Sequence, residues 1–138
     1  MMNPITTRIA MFTSALALAG AAAVTGASPA AAADFRFDYL EATNGDFAIS
    51  AYKTAGGVVG SGYWKKNGDA LIVMDDSTDG YSLEAHLSTG RVASTRGHTA
   101  PYTETVKGDL TEGKWYTMYL CVVKDTFSDC SSSYWVQA

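Results

Sequence analysis

Beyond residue 33, apolar and polar residues alternate with a period of two along most of the chain, and no long helical stripe interrupts the pattern. Phe35-Arg36-Phe37-Asp38-Tyr39 alternates cleanly, as does Phe47-Ala48-Ile49-Ser50-Ala51-Tyr52 after the turn signal Asn44-Gly45. The glycine-interrupted segment 58–65 ends on Tyr63-Trp64, and Asn67-Gly68 joins it as a hairpin to Ala70-Leu71-Ile72-Val73-Met74. Asp79-Gly80 turns into 81–87, and Thr89-Gly90 turns into 91–94. After the loop at 97–101 come 102–106, the longest strand at 114–124, and a last strand at 133–137. Short strands between glycine turns predict an all-β antiparallel sandwich. With no internal repeat and no linker, residues 34–138 read as a single domain.

The first 33 residues follow a different rule. Arg8 is the lone charge before Asp34, and an apolar Ala/Leu-rich run extends from Ile9 to Val24. A helix-breaking stretch, Gly26-Ala27-Ser28-Pro29, precedes Ala31-Ala32-Ala33. This is the order of a secretory signal peptide, with cleavage either before Asp34 or after Ala32. The run is short for a membrane span, and no Cys near the cut offers a lipid anchor. The expectation is a secreted, extracellular protein.

Export places Cys121 and Cys130 in an oxidising compartment and predicts that they pair. Facing each other across an antiparallel hairpin, they centre the turn on Asp125-Thr126 and set Val123 opposite Ser128. The same register, carried on without a bulge, sets Ser133 opposite Met118 and Trp135 opposite Tyr116. Tyr116, Met118, Leu120 and Val122 then face the core, with Trp135 packed on Tyr116. Trp115, Thr117, Tyr119 and Cys121 face the other way, with Tyr134 opposite Thr117 and Val136 opposite Trp115. Trp115, Tyr119 and Tyr134 are thereby expected to form an outer aromatic cluster beside the disulfide, suited to stacking a sugar or anchoring a protein.

Two resemblances bear on the fold. Leu110, Gly113 and Tyr116 have the spacing of a tyrosine corner, and the segment after them resembles the last third of a fibronectin type III-like or immunoglobulin-like sandwich. Glu112 stands where that motif usually has Pro, and Met118 stands where an antibody domain has its second Cys. The resemblance therefore implies the sandwich without the antibody-type disulfide. Residues 67–138 also resemble small uncharacterised secreted β-proteins of actinobacteria. The shared elements are the strand and turn Leu71-Ile72-Val73-Met74-Asp75-Asp76-Ser77-Thr78-Asp79-Gly80 and the late cysteine pair. That likeness implies export and a β fold, and no activity.

Composition narrows the function. A formal net charge of -4, more acidic still without Arg8, excludes a nucleic-acid binder. Asp75, Ser77 and Asp79 carry the spacing of the first half of a calcium loop, although His86 stands where a bidentate Glu belongs. No other cofactor is expected. The two His, His86 and His98, make no closed zinc set, and no Gly-x-Ser-x-Gly elbow is present. Glu84 and Glu104 are the candidate glycosidase carboxylates. Arg91 and Arg96 form a basic-leaning segment that can hold an anion or shape an inhibitory loop. The expected function is non-catalytic extracellular binding of a glycan or protein by a monomer. The alternatives are an inhibitor of a secreted hydrolase and a small secreted hydrolase.

Overall fold

A computed structural model describes residues 34–138; the expected export signal at 1–33 lies outside them. Period-two alternation becomes ten strands among the described residues. They are β1 (Phe35–Glu41), β2 (Phe47–Lys53), β3 (Val58–Lys65), β4 (Ala70–Asp75) and β5 (Ser82–Leu87). Then follow β6 (Val92–Ser94), β7 (Tyr102–Val106), β8 (Trp115–Lys124), β9 (Phe127–Cys130) and β10 (Tyr134–Gln137). One sheet runs β1-β2-β3-β4-β7; the other runs β10-β8-β5-β6, with β9 also paired to β8. All pairings are antiparallel. From β3 onward the neighbours β3-β4-β7 and β10-β8-β5-β6 are those of strands A-B-E and G-F-C-C′ in an immunoglobulin-like sandwich. The β1–β2 hairpin extends the first sheet beyond that plan.

The two inner faces meet in one core. Ile49, Val59, Trp64, Leu71 and Val73 of the first sheet are buried with Leu83, Ala85, Met118, Leu120 and Val122 of the second. Two inward positions on β3 carry no side chain. A Cβ on Gly62 would lie 3.0 Å from Leu120 Cδ1 and 3.3 Å from Ala85 Cβ. A Cβ on Gly60 would collide with Leu83 Cδ1 and the Met74 carbonyl oxygen. Leu83 and Leu120 therefore rest on bare backbone, and the glycines that interrupt β3 set how closely the sheets approach. Next along the same face, Trp64 is fully buried and its indole N–H donates to the Gln137 carbonyl at 2.9 Å, joining β3 to β10. Aromatic groups close the side where β1 meets β9 and β10. Tyr39, Phe47 and Tyr134 pack there with centroids 4.7–5.8 Å apart, and Phe35 meets Tyr81 at 5.0 Å.

Cys121 and Cys130 form a disulfide across β8 and β9, with Cα atoms 4.0 Å apart, and Val123 pairs with Ser128 as the hairpin register requires. The register does not carry on. Tyr134 pairs with Met118, Trp135 with Thr117, Val136 with Tyr116 and Gln137 with Trp115. Ser131 still bonds to Leu120, whose N–H donates to the Ser131 hydroxyl at 3.0 Å while the Ser131 N–H donates to the Leu120 carbonyl at 2.8 Å. One residue more than the partner strand therefore fits between Ser131 and Tyr134, a β-bulge. A one-residue slip turns every following side chain over. Tyr134 and Val136 point inward, and Trp135, expected in the core, stands outside and 66% exposed.

The tyrosine corner is also corrected. Tyr116 enters β8 with its side chain inward and Leu110 packs on the core. Its hydroxyl makes none of the hydrogen bonds found among the described residues. Instead, the Gly113 N–H donates to the Ala138 carbonyl at 2.8 Å, and Gln137 Nε2 donates to the Gly113 carbonyl at 2.9 Å. The end of β10 holds the 111–114 turn in place of the tyrosine hydroxyl.

The glycine face makes a direct prediction. Gly60→Ala should lower the unfolding free energy by more than about 2 kcal/mol, because its methyl has no free volume between Leu83 and the Met74 backbone. Urea denaturation of wild type and variant measures this; an unchanged midpoint would refute the close approach.

Candidate functional site

Alternation along β8 sends Trp115, Thr117 and Tyr119 to the outer face, and the bulge adds Trp135 beside them. Trp135 lies opposite Thr117 and Trp115 opposite Gln137, so the two indoles are diagonal neighbours on one face. Trp115 is 55% and Trp135 66% exposed. Together they border a groove of about 480 Å³ floored by Phe47 and Val136. The far wall is the β1–β2 turn, with Glu41, Thr43 and Asn44.

Local chemistry fixes that wall. Asp46 Oδ1 accepts the Lys66 N–H at 3.0 Å, and Oδ2 pairs with Lys65 Nζ at 2.9 Å, tying the β1–β2 turn to the end of β3. The hydrogen bond from Lys65 holds the Asp46 carboxyl below its ordinary value, against a smaller opposing effect of burial. Gly45, at φ +86°, leaves space for the Lys66 stem, whose Nζ donates to Gln137 Oε1 at 2.7 Å. Asn44 Oδ1 accepts the Asp46 N–H at 3.0 Å, which leaves its amide donors for the groove. Glu41 and Lys66 contribute one charge of each sign.

The predicted cluster is only partly assembled. Trp115 is on the outer face as expected. Tyr119 is on that face too, but it stacks on His86 at 4.7 Å with planes 1° apart. Tyr134 is removed by the bulge to the inner side, 4.7 Å from Tyr39 and 5.2 Å from Phe47. Trp135 takes its place, and the expectation missed it because the disulfide register was extended through Ser131-Ser132-Ser133. A clue was present: that register put Ser133 in the core and Val136 outside. Three consecutive serines also compete for backbone hydrogen bonds and favour an irregular edge.

The other candidates are dispersed. Asp75 Oδ1 accepts the Ser77 N–H at 3.2 Å, and Asp79 Oδ1 accepts the Tyr81 N–H at 3.0 Å while Oδ2 faces Lys53 Nζ at 3.0 Å. Both carboxylates, with Ser77 between them, thus serve the turn's own backbone, the Thr95 hydroxyl, which donates to Asp75 Oδ2 at 3.5 Å, and one lysine. Glu84 bonds to Arg96 at 2.6 Å and His86 at 3.3 Å. Burial raises the Glu84 carboxyl, but Arg96 and then His86 outweigh it and hold it below the usual range. Glu104, on the other sheet, accepts the Tyr102 hydroxyl at 2.8 Å, so it does not share a site with Glu84. Arg91 binds the carbonyls of Asp69 and Gly108, whereas Arg96 binds Glu84; no joint anion site forms. His98 stacks on Tyr102 at 3.7 Å.

Compared with known proteins, the chain matches no family model, no curated protein and no solved structure.

Two pH effects follow. Asp46 has a lowered carboxyl, so its contribution is full above the ordinary aspartate value of 3.8 and is lost as the pH falls below it. Asp46→Asn should therefore lower the melting temperature at pH 7, and the difference from wild type should shrink as acid protonates the wild-type carboxyl. Asp75 is the opposite case. Burial raises its carboxyl above 3.8, with Asp79 and Asp76 adding to the shift. Its contribution is present in acid and is lost as the pH rises through the raised value. Asp75→Asn should then raise the melting temperature at pH 7. A lower melting temperature for the variant in calcium, abolished by EDTA, would instead show that the charge serves a metal.

Proposed function

We propose that the protein is an exported, non-catalytic binding module whose site is the groove bordered by Trp115 and Trp135. One observation carries the reading: two large indoles stand exposed on one face, on paired strands rather than loops, beside a concave wall of polar side chains. Exposed tryptophans on a rigid sheet bury area on a ligand at little ordering cost. The groove volume lies in the range of small-ligand sites, about 300–1,000 Å³.

Export rests on the signal-peptide pattern of residues 1–33. The Cys121–Cys130 disulfide is compatible with an oxidising compartment. Among the described residues no helix is long and apolar enough to cross a membrane.

Trp115→Ala/Trp135→Ala, checked for an unchanged melting temperature and an intact disulfide, should be compared with wild type on a glycan array and a random-peptide library. The proposal expects concentration-dependent binding of at least one probe by the wild type and its loss in the double variant. Identical profiles for the two proteins would overturn it.

A further inference from the structure

We infer that the ligand of this groove is a neutral chain of equatorially hydroxylated pyranose sugars; the inference rests on the binding role proposed above. Such sugars present flat C–H faces and carry their hydroxyls around the rim. An indole receives the face by dispersion and apolar burial, while the rim needs donors and acceptors in comparable number. The groove offers this pairing. Trp115 and Trp135 are the platforms, 55% and 66% exposed. The wall opposite has the Glu41 carboxylate as acceptor, the Asn44 amide as donor and the Thr43 hydroxyl as both. Lys66, with one proton given to Gln137 Oε1 at 2.7 Å, keeps others for the ligand.

Charge selects within that class. Glu41 and Lys66 cancel, so the groove has no net charge with which to neutralise an anionic polymer. The chain as a whole is acidic, at net -4, and repels one at long range. A protein partner is disfavoured by shape. A stable protein interface buries about 800 Å² on each side around a dry apolar centre. Within the groove lining the large exposed apolar groups are the two indoles, and Glu41, Thr43, Asn44 and Lys66 make the rest of the border polar. Diagonal placement across β8 and β10 offers two platforms side by side on one face, which suits a chain with one ring on each indole.

Isothermal titration with cellohexaose, xylohexaose and polygalacturonate tests the assignment, using the full domain and the single variants Trp115→Ala and Trp135→Ala. The inference expects at least one neutral hexasaccharide to bind. It expects each variant to weaken that binding by about tenfold or more, and polygalacturonate not to compete. Tighter binding of polygalacturonate, or recovery only of peptides dependent on Trp115 and Trp135, would overturn the neutral-glycan assignment and leave the binding groove standing. Neutral-glycan binding unaffected by either variant would overturn the assignment to this groove. Absence of any ligand dependent on the two tryptophans would overturn both.

Discussion

The sandwich depends on how closely its two sheets meet along β3. Gly60 and Gly62 present backbone to the core, and Leu83, Leu120 and Ala85 come down onto it. Dispersion rewards such contact only where no void remains, so the large side chains of the second sheet fit because the first supplies none there. The same face of β3 then changes character at Trp64, which fills the space toward the other end and donates to the Gln137 carbonyl. Small residues at one end and the largest at the other bring β10 into position. Through β10 they place the groove.

That groove is made by a fault in regularity. The disulfide fixes β9 against β8, but Ser131 uses its side chain as well as its backbone on Leu120, and the edge strand gains a residue before Tyr134. Inversion of the last strand brings Val136 into the core and completes an aromatic seal of Tyr134, Phe47 and Tyr39. The residue displaced outward is Trp135. Apolar burial therefore favours the bulged register, and the exposed indole follows from the same slip. Asp46 and Lys66 hold the opposite wall by charge-assisted hydrogen bonds, so two turns far apart in sequence form one concave surface.

Most strands were legible because alternation and glycine turns are local properties. Asn67-Gly68, Asp79-Gly80 and Thr89-Gly90 each fall between observed strands, and the hairpin around Asp125-Thr126 follows from the cysteine pair. The Trp115 side of the site was legible for the same reason. Tyr134 and Trp135 were exchanged because a bulge depends on tertiary burial and on a side chain replacing a ladder contact, neither of which has a period. The tyrosine corner failed similarly. Leu110, Gly113 and Tyr116 have the right spacing, but the turn is held by Gln137 and Ala138, partners remote in sequence. The wall of the groove, from Glu41 to Asn44, carries no motif at all; only the fold brings it to β10.

The groove exists only if Trp115 and Trp135 face water and Trp64 does not. Nitrogen-15 NMR of the three indole N–H groups, with a soluble paramagnetic agent added, reads this directly. The bulged register predicts that Trp115 and Trp135 are strongly broadened while Trp64, bonded to the Gln137 carbonyl, stays sharp. A protected Trp135 would contradict it, returning that ring to the core and removing one border of the groove.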